Sequence, residues 1–526
     1  MKKTLTVILG FAIVLAACLG LAELVDWLRP EREPAAEVEA EPVQVANVMD
    51  EAAATVILLR GDTAEISGRG AAAVDGGVTI AYPGTYRLSG ALDGQLIIDC
   101  EDFHGGVYLM LEGAAISCAD GPAIHVKQSE KTVLYLVPGA ENSLADGAGY
   151  ELDDGKDVTA GAAIYCEDDL YIEGPGALTV TGRSADGIRS KDRLVISEGV
   201  LTVYAADDGL QGSDCVELLG GTVTVGAYGD GIASPKGDIT LSDGAVTVTS
   251  GGDGLAAAED VYLLGGGLAV TAYGGAEGYE AMALQEASAK GVKGRSVTIS
   301  GGAYALDTAD DAIHGETDVT ISGGAISIRA GDDAVDAGKT LTVAGGEIAV
   351  ETCYEGLEAA EIAMTAGAVR LAAENSGVEA MGGFTMTGGE LAVAAPRCVN
   401  AAGLLAVWGG ELRLTATGGD TPLRFAQSDV TGGTVIVTGA GTAEELQSGG
   451  VLPGSLLFVL PRQLAADAPV TLLDASGAVK LAFQTAQPSG VIWIASGAMG
   501  PGQSYTLSAG DWALTGELTE ECTVVR

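Results

Sequence analysis

The chain is poor in aromatic residues, which make up 5% of it, with only 6 Phe and 4 Trp. That is too few for conventional globular cores built on large rings. Three histidines, His104, His125 and His314, stand far apart, so a zinc site built on histidine has no support. Basic residues are scarce as well: 27 Lys+Arg face 72 Asp+Glu, a formal net charge of −45. A polyanion of this kind repels nucleic acid and anionic lipid headgroups, and no nucleic-acid partner is expected. Eight cysteines show no metal-ligand spacing; the pair Cys100 and Cys118 is the one to test for a disulfide.

Against these shortages stand 79 Gly in 526 residues, or 15%, about twice ordinary usage. Hydrophobic residues reach 47%, so this is not a disordered acidic polymer. The N-terminus has the basic-then-apolar layout of an export signal, Met1-Lys2-Lys3 before Leu5–Ala17. Leu15-Ala16-Ala17-Cys18 has the form of a bacterial lipobox, with Cys18 as the lipidated residue. The apolar run continues to Ala22, long enough for an uncleaved membrane anchor instead. Either reading makes residues 1–22 a bacterial membrane attachment and the rest extracytoplasmic. Residues 23–60 read as an acidic tether, rich in Glu, Ala and Pro.

Self-similarity organises the remainder. Asp186-Gly187-Ile188, Asp208-Gly209-Leu210, Asp230-Gly231-Ile232 and Asp253-Gly254-Leu255 recur at spacings of 22, 22 and 23 residues. After an interruption at Gly274–Lys290 the unit resumes at Gly291-Val292-Lys293. It continues as Asp311-Ala312-Ile313, Asp333-Ala334-Val335 and Glu355-Gly356-Leu357, with weaker copies near Gly377, Val399 and Leu423. Each copy alternates with period 2, as in Leu341-Thr342-Val343, and breaks at Gly-Gly. An all-β, single-stranded parallel β-helix of about 22 residues per coil fits over residues 61–450. Inward aliphatic ladders explain the shortage of aromatics, and Gly-Gly pairs belong at corners. Residues 451–526 lose the period and read as a small C-terminal β module, a cap on the last coil or an independent binding domain.

Positions one period apart stack, so Asp186, Asp208, Asp230 and Asp253 should form one column and Asp311, Asp333 and Glu355 a second. Carboxylates ~4.8 Å apart repel by about 1 kcal/mol in water and more where partly buried. They persist by capping amides, by protonation or by binding a cation, and for hard oxygen donors outside the cytoplasm Ca²⁺ is expected. Amide capping suits Asp186 to Asp253. The dense cluster Asp310, Asp311, Asp332, Asp333, Asp336, Glu355 and Glu358 is the candidate calcium site.

The ordered motifs Ala185-Asp186-Gly187-Ile188-Arg189-Ser190-Lys191-Asp192, Ser288-Ala289-Lys290-Gly291-Val292-Lys293, Asp310-Asp311-Ala312-Ile313-His314 and Cys353-Tyr354-Glu355-Gly356-Leu357-Glu358 resemble a family of secreted bacterial carbohydrate-binding β-helix proteins akin to family 9 pectate lyases. The resemblance runs from about Ile66 to the C-terminus. It implies a right-handed parallel β-helix, calcium as cofactor, and plant cell-wall polysaccharides such as cellulose or polygalacturonate as partners. It also implies a calcium pattern of Asp332, Asp333 and Asp336 with Asp311 one coil earlier. Glu374-Asn375-Ser376-Gly377 departs from the Asp pair the family tends to keep.

Three readings follow. A non-catalytic polysaccharide binder would contact glycan through calcium and through Tyr171, Tyr262, Lys293 and His314. A calcium-dependent polysaccharide lyase would need a base, with Lys293, Lys339 and Arg370 as candidates. A rigid surface spacer or adhesin would need neither. The insertion Gly274–Lys290 is the best local lead in all three, since long insertions off a solenoid commonly flank a binding face.

Overall fold

A computed structural model describes residues 49–526 except 102–104, 154–157, 286 and 419–420. Cys18, the attachment segment 1–22, most of the tether 23–60 and His104 lie outside the described residues.

The architecture is nearly all β, a parallel solenoid of about 15 turns followed by a separate antiparallel sheet. A regular coil holds three short strands, such as Asp186–Ser190, Arg193–Ile196 and Val200–Ala205, and each strand pairs in parallel with its counterpart one coil on. The alternation dictates which side chains enter. Leu201, Val223, Val246, Leu268, Tyr304, Ile326 and Ile348 pair in succession, and all are buried. Burying each such side chain is worth roughly 1.5–3 kcal/mol. From Val292–Ile299 onward the first two strands of a coil fuse across a register shift.

The solenoid begins earlier than the sequence suggests. Thr55–Gly61, inside the expected tether, is a strand that pairs with Gly84–Asp93 and buries Ile57 and Leu59. The Gly-Gly corners are as expected: Gly346 has φ +83°, and a Cβ there would stand 2.8 Å from the carbonyl oxygen of Gly323. Gly346→Ala should therefore cost at least about 1–2 kcal/mol through the left-handed backbone alone. A lowered thermal midpoint checks this, and an unchanged one rejects the corner argument.

The C-terminal module covers the open end. The last coil strand, Thr434–Gly439, pairs antiparallel with Ser489–Ser496, which also pairs with Ser455–Leu464. A second sheet runs Val479–Gln484, Pro469–Asp474, Ser504–Ala509, Trp512–Glu517 over its own core, which includes Phe458, Leu472 and Leu507. Cys100 and Cys118 do not pair: both are buried free thiols, Cys100 being absorbed into the solenoid core.

Candidate acidic site on the first-strand face

The first strands of successive coils set two outward columns. Ile188, Leu210, Ile232, Leu255, Val292, Ile313, Val335, Leu357, Val378 and Val399 pair in register. Two residues before them stand Asp186, Asp208, Asp230, Asp253, Lys290, Asp311, Asp333, Glu355, Ser376 and Arg397. The two expected acid columns are therefore one, interrupted by Lys290. One residue after the aliphatic run lie Arg189, Gln211, Ala233, Ala256, Lys293, His314, Asp336, Glu358, Glu379 and Asn400. The insertion changes the sequence spacing but not the pairing, because Leu255 still meets Val292.

Along the lower column the acids cap main-chain amides of the next coil. Asp186 Oδ1 accepts the N–H of Asp208 at 3.3 Å, Asp208 Oδ1 that of Asp230 at 2.8 Å, and Asp230 Oδ1 that of Asp253 at 2.8 Å. Asp253 Oδ1 accepts from Lys290 N at 2.8 Å and from Ser288 Oγ at 2.6 Å. Cations close both ends: Arg189 Nη1 bonds Asp186 at 3.3 Å and Lys293 Nζ bonds Asp253 at 3.1 Å. Burial, then the neighbouring acid, pushes Asp186 and Asp230 up to about 7. These residues are built into the scaffold.

The middle of the column is also paired. Lys290 Nζ bonds both Asp310, at 3.1 Å, and Asp311. His314 Nδ1 lies 3.2 Å from Asp311 and 2.8 Å from Asp336. The close carboxylates of Asp311 and then Asp336 raise the imidazole to about 9, so it is a charged partner of the acids at neutral pH. Burial opposes ionisation of Asp311, but His314 and Lys290 outweigh it and hold its carboxyl below the usual range.

One coil further the balance fails. Ligand oxygens of Asp333, Glu355 and Glu358 lie within 4.8 Å of one another. Among the described residues no Lys, Arg or His forms an ion pair with any of the three. Burial followed by the Asp311 charge drives Asp333 strongly upward, and burial followed by the bond to Glu355 raises Glu358. Asp332 is pushed up to about 6 by burial and then by Asp311 and Asp310. Above the triad amides and a hydroxyl take over: Asn375 Nδ2 donates to Glu355 at 2.7 Å, Ser376 Oγ donates to Glu379 at 3.0 Å, and Asn400 also donates to Glu379.

The insertion adds an aromatic wall. Its short helix Tyr279–Ala283 seats Tyr279 against Gly331, where a Cβ would come within 2.7 Å of the tyrosine Cβ. The carboxylate of Asp332, ahead of burial and of Asp310, raises the Tyr279 hydroxyl. Tyr354 contributes to the same shift; the two rings are 37% and 48% exposed beside the acids. Neither tyrosine was singled out by the repeat pattern, and neither was Lys290, although Lys290 stands in the acid register of its motif.

Other expected residues fall elsewhere. Tyr171 and Tyr262 do share one column, through Val195, Glu217 and Thr240. Tyr171 is nevertheless buried, 7% exposed under Lys131, so it presents no platform to a glycan. Tyr262 is half-buried and donates to Asp260 at 3.2 Å. The three candidate lyase bases do not converge. Lys293 is held by Asp253, Lys339 stands exposed at the bulge between Ala337 and Thr340, and Arg370 is on a third strand beside Glu347 at 3.6 Å.

This fold and site define a repeat solenoid whose outward columns carry its chemistry. Residues 74–334 match the family model of carbohydrate-binding domain-containing proteins. A carbohydrate-binding domain-containing protein of Acetivibrio thermocellus is 37% identical over 129 residues, covering 24% of this chain. The match spans 45% of that relative's length. A solved structure, a polysaccharide lyase-like protein from C. thermocellum as its gadolinium derivative, aligns with 55% of this chain and 96% of its own at 24% identity and a TM-score of 0.37.

Proposed function

We propose that the chain is a non-catalytic, extracytoplasmic polysaccharide-binding protein that holds Ca²⁺ at Asp333, Glu355 and Glu358, with Asp332 beside them. The observation that carries this reading is three clustered carboxylates without a basic partner, above acids that either cap main-chain amides or pair with Arg189, Lys290, Lys293 or His314. Hard oxygen donors on adjacent coils suit Ca²⁺, which takes 6–8 oxygens, more than three side chains supply unless each is bidentate. The remaining positions would be open to water and to uronate carboxylates. A cation also resolves the charge problem, since a −45 protein repels an acidic glycan. Tyr279 and Tyr354 would stack on sugar rings next to the ion. The family match supports carbohydrate as the ligand class, and the lipobox at Cys18, or the uncleaved anchor, would hold the protein at the bacterial membrane.

The scattered positions of Lys293, Lys339 and Arg370 favour a binder over a lyase. Incubating the protein with polygalacturonate, with and without Ca²⁺, tests both. Retention only with Ca²⁺ and no unsaturated product is expected. Unsaturated product would replace the binder with the lyase, and retention indifferent to a chelator would remove calcium from the mechanism.

A further inference from the structure

The third-strand face meets the C-terminal module in a cleft of about 420 Å³, outside the segment that matches the family. Arg370, Ala392 and Arg413 follow one another in a single outward column, so the two guanidinium groups project two coils, about 10 Å, apart. Ala392 between them leaves a low floor, and Phe483 and Gln484 of the module form the opposite wall. Glu351 and Glu390 also line the cleft, two carboxylates beside two guanidinium groups. Arg370 lies 3.6 Å from Glu347 in an exposed pair and Arg413 bonds Glu411, which sets planar donors beside acceptors.

In a molecule of net charge −45, arginines already paired with glutamates select the ligand. An anion gains little from arginines already paired with glutamates, and a cation would find stronger fields on the acidic column. A neutral molecule carrying many hydroxyls can use each guanidinium as donor partner and each carboxylate as acceptor partner, while an apolar ring face covers Ala392. The volume is within the ordinary range for small-ligand sites, which favour domain junctions. We infer that this cleft binds a neutral oligosaccharide segment, so that the C-terminal module is a wall of a second glycan site as well as a cap. The inference rests on the carbohydrate-binding reading above but not on calcium.

Isothermal titration of the full chain in EDTA with cellohexaose, xylohexaose and mannohexaose tests it. At least one should bind; Ala392→Trp, which fills the floor, should abolish that binding, and Arg413→Ala with Gln484→Ala should weaken it at least tenfold. If Ala392→Trp lowers the melting temperature, the Arg413/Gln484 variant decides. No binding by any of the three sugars, or undiminished binding by the deciding variant, overturns the cleft. Calcium-dependent retention on polygalacturonate should survive in every variant, so loss of the cleft leaves the acidic site standing. Absence of that retention in the unmodified chain, with neutral sugars still bound, refutes the acidic site alone.

Discussion

Asp333→Asn combined with Glu358→Gln should lower Ca²⁺ affinity at least a hundredfold, about 2.7 kcal/mol. The two changes remove two of the three charged donors of the triad while preserving side-chain size. Their effect on stability should have the opposite sign. Carboxylates ~4.8 Å apart repel by roughly 1 kcal/mol in a water-like medium and about 3 kcal/mol at an effective dielectric of 20. In EDTA at pH 8 the double variant should therefore melt above the unmodified protein. With saturating Ca²⁺ the order should reverse, because a ligand at a hundred times its Kd adds about 2.7 kcal/mol to the form that binds it. Calcium titration calorimetry and melting curves in both buffers read the two signs separately. Unchanged affinity would move the ion away from the triad, and a lower melting point in EDTA would mean that the carboxylates are held by partners rather than repelling. Asp230→Asn, four coils below Asp333 in the column with the Lys290 coil counted, is the control and should leave calcium affinity alone.

The repeat made most of the solenoid legible, because a period of 22 with alternating strands fixes which side chains stack. It could not carry the register across the insertion. From Asp253 to Lys290 the sequence distance is 37 residues, so the column seemed to end and restart. Only the pairing of Leu255 with Val292 shows that Lys290 continues it, and that pairing is a long-range contact invisible to local spacing. Partnering was equally hidden. Asp311 and Asp333 occupy the same repeat position, yet Lys290 and His314 neutralise the first and leave the second exposed to its acidic neighbours. Tyr279 escaped notice because it sits on a helix of five residues, too short to show a period. Tyr171 differs from its register for the converse reason: it shares a column with Tyr262, but burial depends on Lys131 and the preceding coil, which register does not describe. The strands of the C-terminal module could be read from their alternation, whereas the cleft exists only because Phe483 and Arg413 meet from distant parts of the chain.

The lower column predicts how stability depends on pH without calcium. Asp186 and Asp230 have folded values near 7 against an ordinary 3.8, so between those values the native state keeps protons that the unfolded chain has released. Their contribution is full below pH 3.8 and is lost as pH rises through 7. His314 acts in the same direction, since its folded value near 9 exceeds the ordinary 6.5: its contribution is complete below 6.5 and is lost as pH passes 9. Asp311, held below the usual range, works against them only at the acid end. In EDTA the melting temperature should therefore fall by several degrees between pH 5 and pH 8. Buried Asp186 could account for as much as about 2.7 kcal/mol of the loss, an upper bound, because its contribution declines from pH 5 to about 7 at 1.36 kcal/mol per unit. General repulsion within a −45 chain slopes the same way, so a specific variant is needed to separate the two. Asp230→Asn retains a carbonyl oxygen to accept the Asp253 N–H, now 2.8 Å away, but cannot ionise. It should match the unmodified protein at pH 4, exceed it at pH 8, and show a shallower decline between. A flat profile for the unmodified chain would contradict the raised carboxyls, and an Asp230→Asn profile parallel to it would assign the decline to net charge. The ladder of capping aspartates would then owe its place to hydrogen bonding alone, with no stored electrostatic strain for protons to relieve.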